Sequence, residues 1–341
     1  MNDLTFIDLF AGIGGFHLAL HKLGLKCVYA SEINEIARKS YEKNFKKISP
    51  HIFKKDNFNR DIYQQDKSLI PDFDILCAGF PCQPFSQIGQ KKGFSEDYEG
   101  RGNLFFEIAE ILRIKKPKAF FLENVQHLIN HDEGRTFSTI KHTIEELNYS
   151  FYHKVIRASD FNLPQHRPRN FMIGFFDEKT DEKLFNFPEP IPLRKTMSKV
   201  FGGKCEKKIG FTLRLGGGGS GIHDRRNWDR YFVDGENVRI EPEHGKKMQG
   251  LPKGFYLAET RTKSMKLLGN SVAVNAVYHI GKHILQYLNN KHGIEVCDNC
   301  GEEVEVAQHT MGKFIVVEHL CDICGHTAKK GLYDSGKIEK K

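Results

Sequence analysis

The sequence predicts an α/β protein built on a doubly wound sheet, and three features carry that expectation. An apolar run, Leu4 to Phe10, meets a glycine turn and then a helical pattern. Two further apolar runs, Phe73 to Ala78 and Ala119 to Leu122, have the length and continuity of strands buried on both faces of a parallel sheet. Helical patterns separate these runs, and strands that alternate with helices pack as a sheet covered on both sides.

Composition bounds what such a protein can be. The 341 residues suggest about two domains with an appendage. Hydrophobic residues make up 39% and charged residues 28%, so a core can form. A formal net charge of +8 favours a polyanionic partner. No stretch reaches the roughly 20 apolar residues of a membrane span, and Asp3 interrupts any basic, apolar leader. A cytoplasmic protein without membrane association is expected. The eight cysteines do not form a disulfide pattern in a chain this long.

In chain order, strand Leu4 to Phe10 leads through Ala11-Gly12-Ile13-Gly14-Gly15 into a helix from Phe16 to Leu23, stopped at Gly24. Lys26 to Ala30 is a second strand, and Glu32 stands at its carboxyl end, where a carboxylate accepts hydrogen bonds from ribose hydroxyls. The turn lacks the Lys-Ser/Thr pair of a P-loop, so an adenosine-bearing ligand without polyphosphate fits better. Residues 41–65 are polar and mixed, with Asp61 about one loop ahead of the next strand.

That strand ends abruptly in Gly79-Phe80-Pro81-Cys82-Gln83-Pro84-Phe85-Ser86. Cys82 therefore follows the carboxyl end of a strand, where open α/β sheets place their ligands, and prolines on both sides stiffen the backbone that aims it. A plain turn holding a free cysteine is the competing reading. Residues 87–103 hold four glycines together with Lys91, Lys92 and Arg101, a loop that either touches phosphate or is simply solvated.

A helix is expected over Leu104 to Arg113 and another over Gly134 to Asn148, with strand Ala119 to Leu122 between them ending at Glu123-Asn124-Val125. Gln165-His166-Arg167-Pro168-Arg169 precedes a strand from Asn170 to Phe175. Residues 177–262 are richer in Gly, Pro, Lys and Arg and read as a separate, irregular, mostly β domain. In it, Arg214 precedes a glycine-serine run, and Arg225, Arg226 and Arg230 surround the single tryptophan. A flexible linker and a loop that approaches a nucleic acid backbone both fit. Leu267-Leu268-Gly269-Asn270-Ser271-Val272 opens a helix to about Leu288, with Asn and Ser as caps.

A thiol, a carboxylic acid and guanidinium groups gathered at one crevice suit attack on an electron-poor ring such as pyrimidine C6, provided a nearby cation helps the thiol to ionise. The set Phe6 to Gly15, Pro81-Cys82-Gln83, Glu123-Asn124-Val125, Gln165 to Arg169 and Gly269 to Val272, in that order, resembles the bacterial DNA (cytosine-5)-methyltransferases over roughly residues 4 to 288. The resemblance implies a methyltransferase fold with S-adenosylmethionine as donor and double-stranded DNA as substrate. Cys82 is then the nucleophile at cytosine C6, Glu123 holds N3 and the exocyclic amine, Arg169 binds O2, and Arg167 supports the pocket. For the cofactor it implies Phe10 against the adenine, Gly12 and Gly14 for close backbone approach, Glu32 on the ribose and Asp61 on the adenine amino group. Leu104 forms a further wall, and Asn270, Ser271 and Val272 stand at the methionine end. Gln83, Ser86, Lys91, Arg101, Arg214, Arg225, Arg226 and Arg230 are the expected DNA contacts, the target base being flipped out.

By the same resemblance, 1–176 completed by 263–290 is the catalytic domain, 177–262 the target recognition domain, and a cognate restriction endonuclease the genetic partner of a monomeric enzyme. Ile33 stands where the family often has an aromatic, and Pro242-Glu243-His244 where Pro-Arg-Glu is common. Beyond the family core, Cys297, Cys300, Cys321 and Cys324 have the spacing of a four-cysteine zinc ribbon over residues 291–341. A methyltransferase acting on transfer RNA and a DNA-binding protein without activity are the competing functions.

Overall fold

The computed structural model describes residues 4–54, 57–81, 104–177, 185–214, 220–291, 305–311, 314–320 and 327–334. They form two compact units, one of residues 1–182 and 189–279, the other of 183–188 and 280–341.

The larger unit is organised by a seven-stranded sheet. Strand β1 (Thr5–Leu9) lies between β2 (Lys26–Ser31) and β4 (Ile75–Gly79), parallel to both. The short β3 (Phe58–Asn59) extends the sheet beside β2, and β5 (Ala119–Val125) extends it beside β4. Helices α1 (Gly15–His21), α2 (Glu35–Phe45), α3 (Leu104–Lys115) and α4 (Arg135–Glu146) complete the strand-helix alternation. Phe6, Ile7, Leu9, Leu76, Phe120 and Leu122 are fully buried, and the sheet and α3 share one apolar core. Each such side chain contributes about 1.5–3 kcal/mol on leaving water.

The last two strands depart from the expected parallel sheet. Strand β7 (Pro168–Phe175) inserts between β5 and β6 (Tyr152–Arg157) and runs antiparallel to both, giving the order β3-β2-β1-β4-β5-β7-β6. An apolar run specifies burial but carries no information on strand direction. The reversal has a consequence for the site: an antiparallel strand begins where its neighbour ends, so Val125 pairs with Arg169 and Glu123 with Phe171.

Between residues 185 and 262 the described chain mixes short helices with strands, where a mostly β segment is expected. It holds α5 (Met197–Phe201), α6 (Pro242–Gln249) and one hairpin, β8 (Arg230–Val233) with β9 (Glu236–Arg239). Asp234 and Gly235 both have positive φ, the two-residue turn that Asp-Gly favours. Trp228 is buried rather than displayed, while Asp229 beside it pairs with Arg239 at 2.6 Å. Gly269 and Asn270 close α7 (Arg261–Asn270), Ser271 is its C-cap, and α8 (Val274–Lys291) starts afresh. The Asn-Ser pair thus ends one helix instead of opening the next.

In the smaller unit, Phe185 meets Phe187 and Tyr287 edge to face. Three antiparallel strands follow: β10 (Glu305–Met311), β11 (Phe314–Leu320) and β12 (Thr327–Asp334). No helix among the described residues is long and apolar enough to cross a membrane.

Candidate active site

The carboxyl ends of β1, β2, β4 and β5 open on a cavity of about 410 Å³. The glycine turn forms one wall. Phe10, Gly12 and Gly14 all adopt positive φ, of 53°, 56° and 85°. This conformation costs a residue with a Cβ energy, and Phe10 holds it at the mouth of the site. A Cβ at Gly12 would have only the Phe10 carbonyl within reach, at 4.0 Å, so the glycine keeps open space in the cavity wall.

Glu32 faces that turn from the end of β2. Its Oε2 accepts from the backbone N–H of Gly12 at 2.8 Å and its Oε1 from that of Asn34 at 2.7 Å. Burial raises its carboxyl above the usual glutamate range, while these N–H groups and the Arg38 charge oppose the rise. Asn34 in turn caps α2 by accepting from Ile36 and Ala37. Asp61 and Ile62, after the neighbouring strand β3, also line the cavity, and so do Leu104 and Asn270.

Of the nine residues expected at a cofactor, Phe10, Gly12, Glu32, Asp61, Leu104 and Asn270 line this cavity. Gly14, Ser271 and Val272 do not line it. A Cβ on Gly14 would fall 2.3 Å from the Phe45 ring, and one on Gly15 would fall 2.5 Å from Cγ2 of Val272. These residues fix the turn and its packing.

At the far end of the cavity the Arg169 guanidinium meets the Glu123 carboxylate, Nε to Oε1, at 2.9 Å, both largely buried. Arg167, two residues earlier, is buried and also lines the cavity, but its hydrogen bonds go to backbone. It donates to the carbonyls of Gly269, at 3.0 Å, of Ser271, and of Leu213, at 3.4 Å. Burial pushes its guanidinium down to about 9; the Arg169 charge adds to this and Glu123 opposes it. Asn124 donates to the Phe80 carbonyl at 3.0 Å and so ties the end of β5 to the segment after β4.

Gly79, Phe80 and Pro81 line the cavity, and the chain continues from Pro81 to Cys82. Cys82, Gln83, Ser86, Lys91 and Arg101 lie outside the described residues, as do Cys297, Cys300, Cys321 and Cys324. Among the described residues no cluster of His, Cys, Asp and Glu could hold a metal ion. Cys27, Cys77 and Cys205 are buried free thiols, and burial raises the thiol pKa of each. Arg214 and Arg225 are exposed; Arg226 is exposed but paired with Asp224 at 2.6 Å; Arg230 is half-buried and reaches Asn237 at 3.5 Å.

Sequence reading passed over Lys263 and Lys266, exposed on α7 at the cavity rim, and Arg38, described below. The i, i+3 spacing of the lysines on a helix was the available signal.

A glycine turn, a buried carboxylate and a carboxylate-guanidinium pair around one cavity at the strand ends of a mixed seven-stranded sheet fit an α/β methyltransferase. The match to known proteins is specific: the model of the C-5 cytosine-specific DNA methylases fits residues 4–216 and 218–286, and the chain belongs to this family. It is a C5-cytosine DNA methyltransferase. It is 36% identical over 318 residues to the type II methyltransferase M.DsaV of Dactylococcopsis salina, covering 84% of this chain and 87% of the relative. It is also 35% identical over 330 residues to M.HhaI of Haemophilus parahaemolyticus, covering 85% and 97%. Among solved structures, the S. pombe Dnmt2 methyltransferase shares the fold at 19% identity, with a TM-score of 0.62 over 84% of this chain and 99% of that one.

Proposed function

We propose that the chain methylates C5 of cytosine at one short sequence in duplex DNA, with Cys82 as nucleophile, and protects that DNA from a cognate restriction endonuclease. The carrying observation is the Glu123–Arg169 pair on the wall of a cavity from which the chain passes directly to Cys82. The type II relatives support the restriction-modification setting.

The cavity fits the cofactor of such a reaction. Its volume suits a ligand of nucleoside size, Gly12 leaves room for close approach, and the buried Glu32 carboxylate points an acceptor at the turn. Phe10, Glu32, Asp61 and Asn270 would hold S-adenosylmethionine, with Leu104 as a wall and Ser271 and Val272 supporting Asn270. When bound, S-adenosylmethionine supplies an electrophilic methyl group.

The remaining chemistry belongs to the chain. Cytosine C5 is out of reach in a stacked helix, so the target nucleotide must leave the duplex. The Cys82 thiolate forms a bond to C6, and the displaced electron pair makes C5 nucleophilic. Glu123 accepts from the exocyclic amine and shares a proton with N3, Arg169 donates to O2, and together they stabilise charge as it moves onto the ring. Once C5 carries the methyl group, water or another base takes the C5 proton, its electron pair re-forms the C5–C6 double bond, and the C6–S bond breaks to release the Cys82 thiolate. Arg167 supports the pocket by fixing the 269–271 segment. Residues 177–262 read the bases in the major groove, and the exposed arginines at 214, 225 and 226, with Arg230, Lys91, Arg101, Gln83 and Ser86, contact the DNA. The enzyme works as a cytoplasmic monomer.

The tail is proposed to bind one structural zinc through Cys297, Cys300, Cys321 and Cys324. Glu305 pairs with Leu320 and Leu320 with Thr327, so the strand ends from which the chain continues toward both cysteine pairs lie side by side.

Labelled methyl transfer from S-adenosylmethionine to plasmid DNA, followed by bisulfite sequencing, tests the main reading. Methylcytosine confined to one motif, abolished by Cys82→Ser with DNA binding retained, is expected. Label in transfer RNA alone would overturn the substrate, and turnover by Cys82→Ser would overturn the nucleophile.

A further inference from the structure

Two residues of the cavity wall, Glu32 and Asp61, follow the ends of the neighbouring strands β2 and β3. Strand β3 is an edge strand of only two residues, and its ladder to β2 is limited to the pairs Ala30–Phe58 and Ser31–Asn59. So short a strand has little pairing of its own to fix it. Yet the loop that carries Asp61 begins one residue after it.

Beyond the backbone bond from the Glu32 N–H to the Asn59 carbonyl, at 3.2 Å, one side chain bridges these ends. Arg38, on α2, donates from Nη1 to the Glu32 carbonyl at 3.0 Å and to the Asn59 carbonyl at 2.6 Å, and from Nη2 to the Phe58 carbonyl at 2.9 Å. Its guanidinium carbon also lies 4.0 Å from the centre of the Phe58 ring. The planar fork satisfies three strand-end carbonyls at once, a geometry that the point charge of lysine does not reproduce. Arg38 is not among the residues that line the cofactor cavity.

We infer that Arg38 is a positioning residue for the cofactor. It fixes the distance between Glu32 and Asp61, and so the register in which ribose and adenine are held together. Its charge also favours the ionised form of Glu32, against burial. The inference rests on the assignment of the cavity to S-adenosylmethionine.

Calorimetric binding of S-adenosylhomocysteine to the full chain tests it without turnover. Wild-type binding, lost in Glu32→Ala, first establishes the cavity assignment; absence of that binding would refute the assignment and with it this inference. In Arg38→Met, binding should weaken about tenfold or more, and Arg38→Lys should recover only part of the loss. Preference for adenine over hypoxanthine in the ligand should shrink, because Asp61 no longer stands at the amino group. KM for the methyl donor should rise while KM for DNA stays and kcat changes by less than about twofold. Millimolar guanidinium ion should restore part of the affinity to Arg38→Met. Unchanged affinity and base preference in a folded Arg38→Met would overturn the inference, as would an equal loss of affinity for DNA. Should Arg38→Met fail to fold, Arg38→Lys carries the same readouts, and wild-type affinity and base preference in that variant would also overturn it.

Discussion

Arg167 and Arg169 are two residues apart on one strand start, and their surroundings divide structure from chemistry between them. Arg167 is buried, and removing its fork strands carbonyls of three residues. Arg167→Lys should lower unfolding free energy by about 2–3 kcal/mol, the scale of hydrogen bonds to a charged group, as read by urea titration. Arg169→Lys keeps a cation beside Glu123 and should cost less than about 1 kcal/mol, yet reduce turnover about 10²-fold through lost stabilisation of the ring. Equal effects of the two variants on stability would refute the division. Asp8 poses a different residue-scale question. It is buried in β1, neither oxygen completes a hydrogen bond, and burial lifts its carboxyl well above the usual range; the nearby His17 backbone N–H opposes this and Glu32 adds to it. The folded chain therefore holds this proton after the unfolded chain has released it, so stability falls as pH rises from the ordinary aspartate range toward the raised value. Asp8→Asn removes that term. Urea unfolding across pH values should show the variant gaining on wild type as pH increases, whereas a pH-independent difference would mean that Asp8 does not titrate this way.

At the scale of elements, β7 decides the site. Its reversed direction sets Arg169 opposite Val125 and within reach of Glu123. The sequence showed both residues and the strand, because apolar runs and the abrupt stops after them are local signals. Direction was illegible, since it depends on how β6 and β7 pair across the sheet. The Asp234-Gly235 turn was written plainly in the chain and marks the hairpin that the general impression of irregularity obscured. The proposed role of Arg38 had no local signature: two of its three acceptors, the carbonyls of Phe58 and Asn59, belong to a strand that only the fold brings near. Packing around β7 is equally non-local. A Cβ at Gly174 would stand 1.9 Å from the Ser150 carbonyl oxygen and 2.3 Å from the Phe120 ring. Backbone cannot step aside as a flexible side chain can. Gly174→Ala should therefore destabilise the sheet by about 1–3 kcal/mol or more, and a denaturation midpoint equal to wild type would show that β7 shifts freely.

At the scale of the whole molecule, the net charge of +8 and the separate tail unit remain to be connected to function. The charge argues for phosphate contacts, which release counterions and make affinity for cognate and random DNA fall together as salt rises. The tail has a different physical basis. Its three strands span residues 305–334 and bring only a few large apolar residues, among them Phe314, Ile315, Leu320, Leu332 and Tyr333. A unit this small rarely holds its strands by a hydrophobic core alone, and the proposed metal, bound by four thiolates, would supply the missing free energy. The full chain, purified without chelator, should carry about one zinc ion, and replacing Cys297 and Cys300 together by serine should remove it. Hydrogen exchange should then lose protection in β10, β11 and β12 while β1, β4 and β5 keep theirs, because the metal stabilises only the unit that contains its ligands. Zinc absent from the wild-type chain, or retained by the double variant, would refute the assignment. Loss of protection in β1, β4 and β5 as well would instead mean that the two units unfold as one, and that the tail stabilises the catalytic sheet it follows.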